Sequence, residues 1–144
     1  MQSQLHDTPY LLVRDSAIAG RGLFTTRMFR AGESICIVTG EVIDEVEALR
    51  RERDEQNWYI YWNHAEHYID AADSGIGRYV NHCCTPNATT MPRDNASVSL
   101  VALRDIAAGD ELTIDYDYPE IYVLCQRVNP HCLQSACPRM GAHI

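Results

Sequence analysis

Lysine is absent from this 144-residue chain: all 12 residues counted as Lys+Arg are arginine. That absence excludes chemistry carried by a lysine of the chain itself, both Schiff-base catalysis and a phosphate-binding P-loop. Long apolar runs are missing too. None approaches the roughly 18 residues of a membrane span, and Met1–Pro9 lacks the basic-then-apolar order of a secretory signal. Both absences point to a cytoplasmic protein with no membrane partner, a nuclear or host-chromatin location remaining compatible. Positive charge is also scarce. Twelve Arg against 20 Asp+Glu leave a formal charge of -8, the wrong sign for direct nucleic-acid binding through phosphates. A basic partner suits it better.

The length fits one domain, which buries roughly two-thirds of its unfolded surface without disulfide staples. The six cysteines therefore need another explanation, and in a reducing compartment clustered cysteines read as metal ligands or buried thiols. Cys36 alternates with Ile35 and Ile37 as a core thiol would. Cys83 and Cys84 are adjacent, and Cys125, Cys132 and Cys137 crowd the carboxy-terminal end.

Short, turn-bounded apolar runs predict strands at Tyr10–Arg14, Ser34–Val38, Glu41–Ile43, Trp58–Trp62, His67–Asp70, Val98–Leu103 and Glu111–Ile114, hence a mainly β domain. Turns are expected around Gly20–Gly22, Arg30–Gly32, Ser74–Gly77, Pro92–Asn95 and Ala108–Asp110. One helix is expected from Asp44 to about Gln56, capped by Asp44, with Val46 and Leu49 at helical spacing and a mostly solvated face. Asn63–His67 reads as a hairpin turn rather than a metal site. Beyond Pro119, cysteine, proline and histidine become frequent, as in an appendage held by something other than apolar burial.

The run Arg78-Tyr79-Val80-Asn81-His82-Cys83-Cys84-Thr85-Pro86-Asn87 holds more polar and reactive side chains than a strand or turn needs, and Glu111-Leu-Thr-Ile-Asp-Tyr116 follows it. In this order the two stretches resemble the hallmark motifs of the SET-domain family of protein lysine methyltransferases. Gly20-Arg21-Gly22-Leu23-Phe24 is similar to the family's early cofactor loop, Gly40–Ile43 to its G-E-x-I strand, and Tyr68–Ala71 to its I-D-A segment. The segment Leu103–Asp110 resembles the strand and turn that lead into the last motif. The resemblance divides the chain into a tail at 1–9, a SET domain at 10–118 and a post-SET-like Cys-rich segment at 119–144, a minimal stand-alone arrangement. It implies a β-clip fold of short curved strands, one inserted helix, and a pseudoknot in which the Tyr116 segment threads beneath the Asn81 loop, against the usual no-threading rule.

The activity so implied is methyl transfer from S-adenosylmethionine to a lysine of a basic protein: histone-like, ribosomal or another chromatin protein. Such transfer is an in-line displacement that needs an aligned, neutral amine. With a free lysine pKa near 10.4, neutralising it at pH 7 costs about 4–5 kcal/mol, and an apolar, tyrosine-lined channel beside a sulfonium lowers that pKa. The resemblance assigns Tyr116 to catalysis, with Tyr59 and Tyr61 as candidate channel tyrosines; strand alternation puts both on one face. It assigns cofactor binding to Gly20, Arg21, Gly22, Arg78, Tyr79, Asn81, His82 and Tyr116, with Asn81 and His82 holding the cofactor's amine and adenine, partly through backbone groups. The acidic stretch Asp110–Glu120 either steers a basic substrate or forms an ordinary solvated rim.

Many members carry a C-x-C-x4-C tail that binds zinc with the motif cysteine. Cys132 and Cys137 supply the x4 spacing and Cys84 the motif cysteine, but Pro130 stands where the first tail cysteine belongs. Cys84, Cys125, Cys132 and Cys137 complete a tetrahedral set, with His131 a substitute for Cys125. Three departures stand out. Cys83 replaces the usual serine, Ile114 replaces an aromatic that tunes methyl number, and the Ser74–Gly77 turn is one residue short. A catalytically inactive SET-fold binding module with structural zinc is the alternative, and a second copy of the chain completing the peptide groove is left open.

Overall fold

A computed structural model of the chain describes residues 9–18, 20–64, 67–73, 75–83 and 85–116. The elements run β1 (Leu11–Asp15), β2 (Arg21–Thr25), β3 (Ser34–Thr39), β4 (Glu41–Ile43), α1 (Glu45–Glu55), β5 (Ile60–His64) and β6 (His67–Asp70). A 3-10 turn at Gly77–Tyr79 follows, then β7 (Asn81–His82), β8 (Ala88–Asp94), β9 (Ser97–Ala102) and β10 (Thr113–Ile114). Two antiparallel sheets, ordered β3-β9-β8 and β4-β6-β5, are joined by the β1-β2 hairpin and the parallel pair β10-β7. The expected mainly β architecture with a single helix is what the described residues form.

Alternation dictates the main core. In β9, Val98, Leu100 and Ala102 point inward beside Val38 of β3 and Ala88 of β8. Leu23, Ile69, Val80 and Leu112 are fully buried in the same cluster, each side chain contributing about 1.5–3 kcal/mol of burial. Cys36 belongs to it, as expected, and burial pushes its thiol pKa up to about 12.

Several boundaries differ from the sequence reading. β5 begins at Ile60, two residues later than expected, because Tyr59 is held back by a local bond from its N–H to Asn57 Oδ1 at 2.9 Å. β2, β7 and β8 arise where turns or motif residues obscured the pattern. The turn expected at Pro92–Asn95 shrinks to Asn95–Ala96, leaving Pro92 within β8. β8 is an edge strand, where a missing N–H is tolerated.

The helix starts where expected, with Asp44 accepting the Glu47 N–H at 2.9 Å, and stops at Gln56 in the left-handed region (φ 52). Its inward face is not the expected one. Ala48 packs on Ile43 and Ile60, whereas Val46 and Leu49 are 79% and 50% exposed, because only a small side chain lets the helix lie close on β4 and β6. Gly40 makes the next close approach: a Cβ there would run into the Asp70 carbonyl, so the turn between β3 and β4 requires glycine.

Arg51 ties this region together. Its guanidinium reaches Glu41, Glu47 and Asp70 at 2.9, 2.7 and 2.7 Å, while Asp70, 8% exposed, also accepts from Asn57 Nδ2 and the Ala72 N–H. Burial pushes the Asp70 carboxyl up, but its hydrogen bonds outweigh that and hold it below the usual range. Glu47 is lowered to about 2 by Arg50 and Arg51. Groups with depressed folded pKa values stabilise fully above their unfolded values near 4, and that contribution disappears as pH falls through the folded values. Stability against thermal unfolding is therefore expected to fall between pH 5 and pH 2–3, and Arg51→Ala to cost about 2 kcal/mol at pH 7 and flatten that pH slope. An unchanged slope in Arg51→Ala sinks this account.

Candidate active site

Three stretches far apart in sequence meet around Asn81. The β1–β2 turn is closed by its own Ser16, whose N–H donates to Gly20 O at 2.9 Å and whose hydroxyl accepts from the Ile18 N–H at 2.9 Å. The same hydroxyl donates to the Glu111 carboxylate, lying 2.8 and 2.9 Å from its two oxygens. Asn81 Nδ2 donates to Glu111 Oε2 at 2.8 Å and to Arg21 O and Ser16 Oγ at 3.2 Å. One carboxylate and one amide thus clasp the early glycine loop, the Asn81 strand and the last motif. A Cβ at Gly22 would strike the Glu111 carboxylate, so a larger residue there pushes that carboxylate out of its bonds to Ser16 and Asn81.

The last motif runs beside β7. Thr113 pairs with Asn81 and Ile114 with His82 in parallel register, and the Cys83 N–H continues the ladder to Ile114 O at 3.0 Å. The expected juxtaposition of the Tyr116 segment with the Asn81 loop is present in this ladder. Tyr116 is then fixed at both ends. Its N–H donates to His82 Nδ1 at 3.0 Å and its hydroxyl donates to Val80 O at 2.6 Å, with the His82 and Tyr116 rings 5.4 Å apart. His82 Nδ1 must accept here, so any ring proton sits on Nε2. Because the phenol proton is committed to Val80, the lone pairs on the Tyr116 oxygen are what that atom offers a neighbour.

Asn87 holds the same strands from behind. It is buried and acts as a piece of backbone: its Nδ2 donates to Glu111 O at 2.8 Å and its Oδ1 accepts the Thr113 N–H at 2.9 Å. In the sequence, Asn87 has a place in its motif but no task, Glu111 counts only within its motif and the acidic stretch Asp110–Glu120, and nothing marks Ser16. Asn87 was findable, as an asparagine closing a motif between strands. Ser16 lies in a loop and carries no such signal.

The other candidate residues occupy several places. Gly20 (φ 48) has open space where a Cβ would stand, and Arg21 is exposed beside it. Arg78 is exposed, its guanidinium 5.2 Å from the ring centre of Tyr79. Tyr61 is buried, and its hydroxyl donates to Gly77 O at 2.6 Å, bracing the 3-10 turn that carries Arg78 and Tyr79. Tyr59 instead lines a concavity of about 540 Å³ with Arg51, Asn57 and Asp70, so the two tyrosines do not share a face as strand alternation had suggested. None of Asn81, His82 and Tyr116 lines that concavity. His64 and His67 stack at 4.7 Å across the hairpin between β5 and β6. Cys84, Cys125, Cys132 and Cys137, with His131, lie outside the described residues, among which no group of three metal-ligating side chains occurs. Among the described residues no helix is long and apolar enough to cross a membrane.

Known proteins resemble this chain in sequence and fold. A family model described as "SET domain" matches residues 20–117, which include every described residue of the Asn81 cluster except Ser16. The variant-silencing SET domain-containing protein of Plasmodium falciparum is 32% identical over 140 residues, covering 85% of this chain and 5% of that protein. The mouse histone-lysine N-methyltransferase, H3 lysine-36 specific, is 38% identical over 107 residues, covering 68% of this chain and 4% of that protein. Among solved structures, a chain of a humanized mutant of the Chaetomium thermophilum Polycomb Repressive Complex 2, bound to the inhibitor GSK126, superposes with a TM-score of 0.61 at 29% identity. That likeness covers 74% of this chain and 15% of the other. This chain thus spans only a small part of its curated relatives, 5% or less of the two named here. Since the matched span contains both strands of the β10-β7 pair and the hydrogen bonds that fix Tyr116 between them, the chain belongs to the SET domain family.

Proposed function

We propose that the chain is an S-adenosylmethionine-dependent protein lysine methyltransferase acting on a basic, histone-like segment. One observation carries this reading: Tyr116 is held by residues 80 and 82, the two chain neighbours of Asn81, so the candidate catalytic phenol and the candidate cofactor strand form a single hydrogen-bonded unit. The relatives' names, histone-lysine N-methyltransferases among them, support it.

The residues present fit the cofactor. Open space at Gly20 lets a ligand approach the loop backbone, and Asn81, bonded to that loop through Arg21 O, is followed by His82, which holds Tyr116, so Gly20, Arg21, Asn81 and His82 would hold it. When bound, S-adenosylmethionine supplies an electrophilic methyl group on a sulfonium. The Tyr116 oxygen, its proton given to Val80, offers lone pairs that attract polarised C–H groups and so hold the acceptor line. Tyr59 and Tyr61 remain the channel candidates of this reading. The chain's excess of acid favours encounter with a basic substrate. A structural zinc held by Cys84, Cys125, Cys132 and Cys137 would extend the reading, which does not depend on it.

Incubation with methyl-labelled S-adenosylmethionine and core histones is the test, followed by peptide mapping of the labelled residue. Label is expected on lysine of the added protein and on no lysine of the enzyme, which has none. Absence of cofactor binding by calorimetry overturns the reading. Binding without transfer to any basic protein favours the inactive binding module instead.

A further inference from the structure

We propose that Glu111 is a positioning residue that orients the Asn81 side-chain amide, so that Asn81 meets a bound ligand as a hydrogen-bond acceptor for a cationic amine. This rests on the cofactor reading above, in which the resemblance gives the cofactor's amine to Asn81, and adds to it Glu111 as the residue that sets the direction of the amide. Three acceptors, Glu111 Oε2, Arg21 O and Ser16 Oγ, lie 2.8–3.2 Å from Asn81 Nδ2. Turning the amide over would set its carbonyl oxygen against a carboxylate and a backbone carbonyl with no proton between them, so the orientation is fixed by the network. The opposite edge, Oδ1, is therefore the one aimed away from Glu111.

Glu111 is itself well placed to impose this choice. Its carboxylate is acceptor-only when ionised, and its two hydrogen-bonding neighbours, Ser16 and Asn81, are neutral. No ion pair ties it to a cation among the described residues. A glutamine at this position has the same shape but presents one donor and one acceptor, so only the longer contacts to Arg21 O and Ser16 Oγ still favour this orientation of Asn81. An ammonium group, such as that on the amino-acid part of S-adenosylmethionine, gains from an acceptor edge and is repelled by an amide N–H.

The test compares two ligands by calorimetry on the full chain. S-adenosylhomocysteine carries the ammonium without a transferable methyl group; 5′-methylthioadenosine keeps the adenosine and thioether but lacks the amino-acid part. Glu111→Gln is expected to weaken S-adenosylhomocysteine roughly tenfold while leaving methylthioadenosine within about twofold. Adding Glu111→Gln to Asn81→Ala is expected to produce no further loss, since the two act as one unit. Parallel weakening of both ligands overturns the proposal, because a carboxylate that only shapes the loop affects them alike. Unchanged binding in Glu111→Gln, or full additivity with Asn81→Ala, overturns it too. Glu111→Asp, one methylene shorter and unable to reach both partners, is read in the same ratio and serves if the glutamine variant fails to fold. If the wild-type chain binds neither ligand, it is the cofactor reading that falls, a result distinct from all the others.

Discussion

Replacing Tyr116 with phenylalanine is expected to slow methyl transfer by roughly 10²–10³-fold under the proposed function, while costing the fold only about 1 kcal/mol. The two effects separate because Tyr116 is anchored twice. The backbone bond from its N–H to His82 survives the substitution, so the ring stays close to its place, and the structural loss is confined to the Val80 carbonyl that the hydroxyl pairs. What disappears is the oxygen whose lone pairs, in the proposed function, hold the reacting groups in line. The loss is therefore expected in kcat with little change in the KM for cofactor, measured in single-turnover assays with labelled S-adenosylmethionine. A variant within about threefold of wild type in kcat refutes the role given to the phenol.

Asn87→Ala is expected to be the most damaging of the simple stability variants, at about 3 kcal/mol. The side chain is 7% exposed and stands in for backbone, so its removal strands the Glu111 carbonyl and the Thr113 N–H at once. The Thr113 N–H is buried and the Glu111 carbonyl partly so, and a small domain has only about 5–15 kcal/mol in total. Asn87→Asp is expected to do no better. It keeps an acceptor for the Thr113 N–H but turns a second acceptor toward the Glu111 carbonyl. Urea unfolding measures both variants, and a loss below about 0.5 kcal/mol for the alanine variant contradicts this account. Because the same bonds hold the strand that carries Tyr116, activity is expected to fail at lower urea than bulk secondary structure.

Much of this molecule was legible before its structure. Strict alternation announced β3 and β9, the spans of β4 and β6 were read to the residue, and Asp44 marked the helix start because its side chain has an N–H to cap. What stayed hidden had specific causes. β7 is two residues long, too short for any period to show, and β10, expected over Glu111–Ile114, is trimmed to Thr113–Ile114, the two residues that pair with β7. Val46 and Leu49 looked like a core face, yet the close approach of α1 to the sheet selects Ala48. Periodicity reports which residues share a face, not which face wins. In the candidate site, motif order pointed to Asn81, His82 and Tyr116. It gave no hint of the Ser16–Glu111–Asn81 clasp, since hydrogen bonds among residues 30 to 95 positions apart leave no local trace. Tyr59 and Tyr61 show the converse, for neighbours two apart in sequence were separated when β5 began one residue after Tyr59.

The parallel pair between β7 and β10 also governs when the site comes into being. Its partners are separated by a long excursion that includes the whole β8–β9 hairpin, so loop closure opposes its formation until that hairpin has docked. The hairpins made of neighbouring strands close over short stretches and precede it. A chain with every sheet in place and Tyr116 not yet seated is thus the expected last species before the native state, and the same opening is the one most easily revisited afterwards. Amide hydrogens at Cys83 and Tyr116 would then exchange faster than those of β9, making the site the least protected part of a well-protected fold.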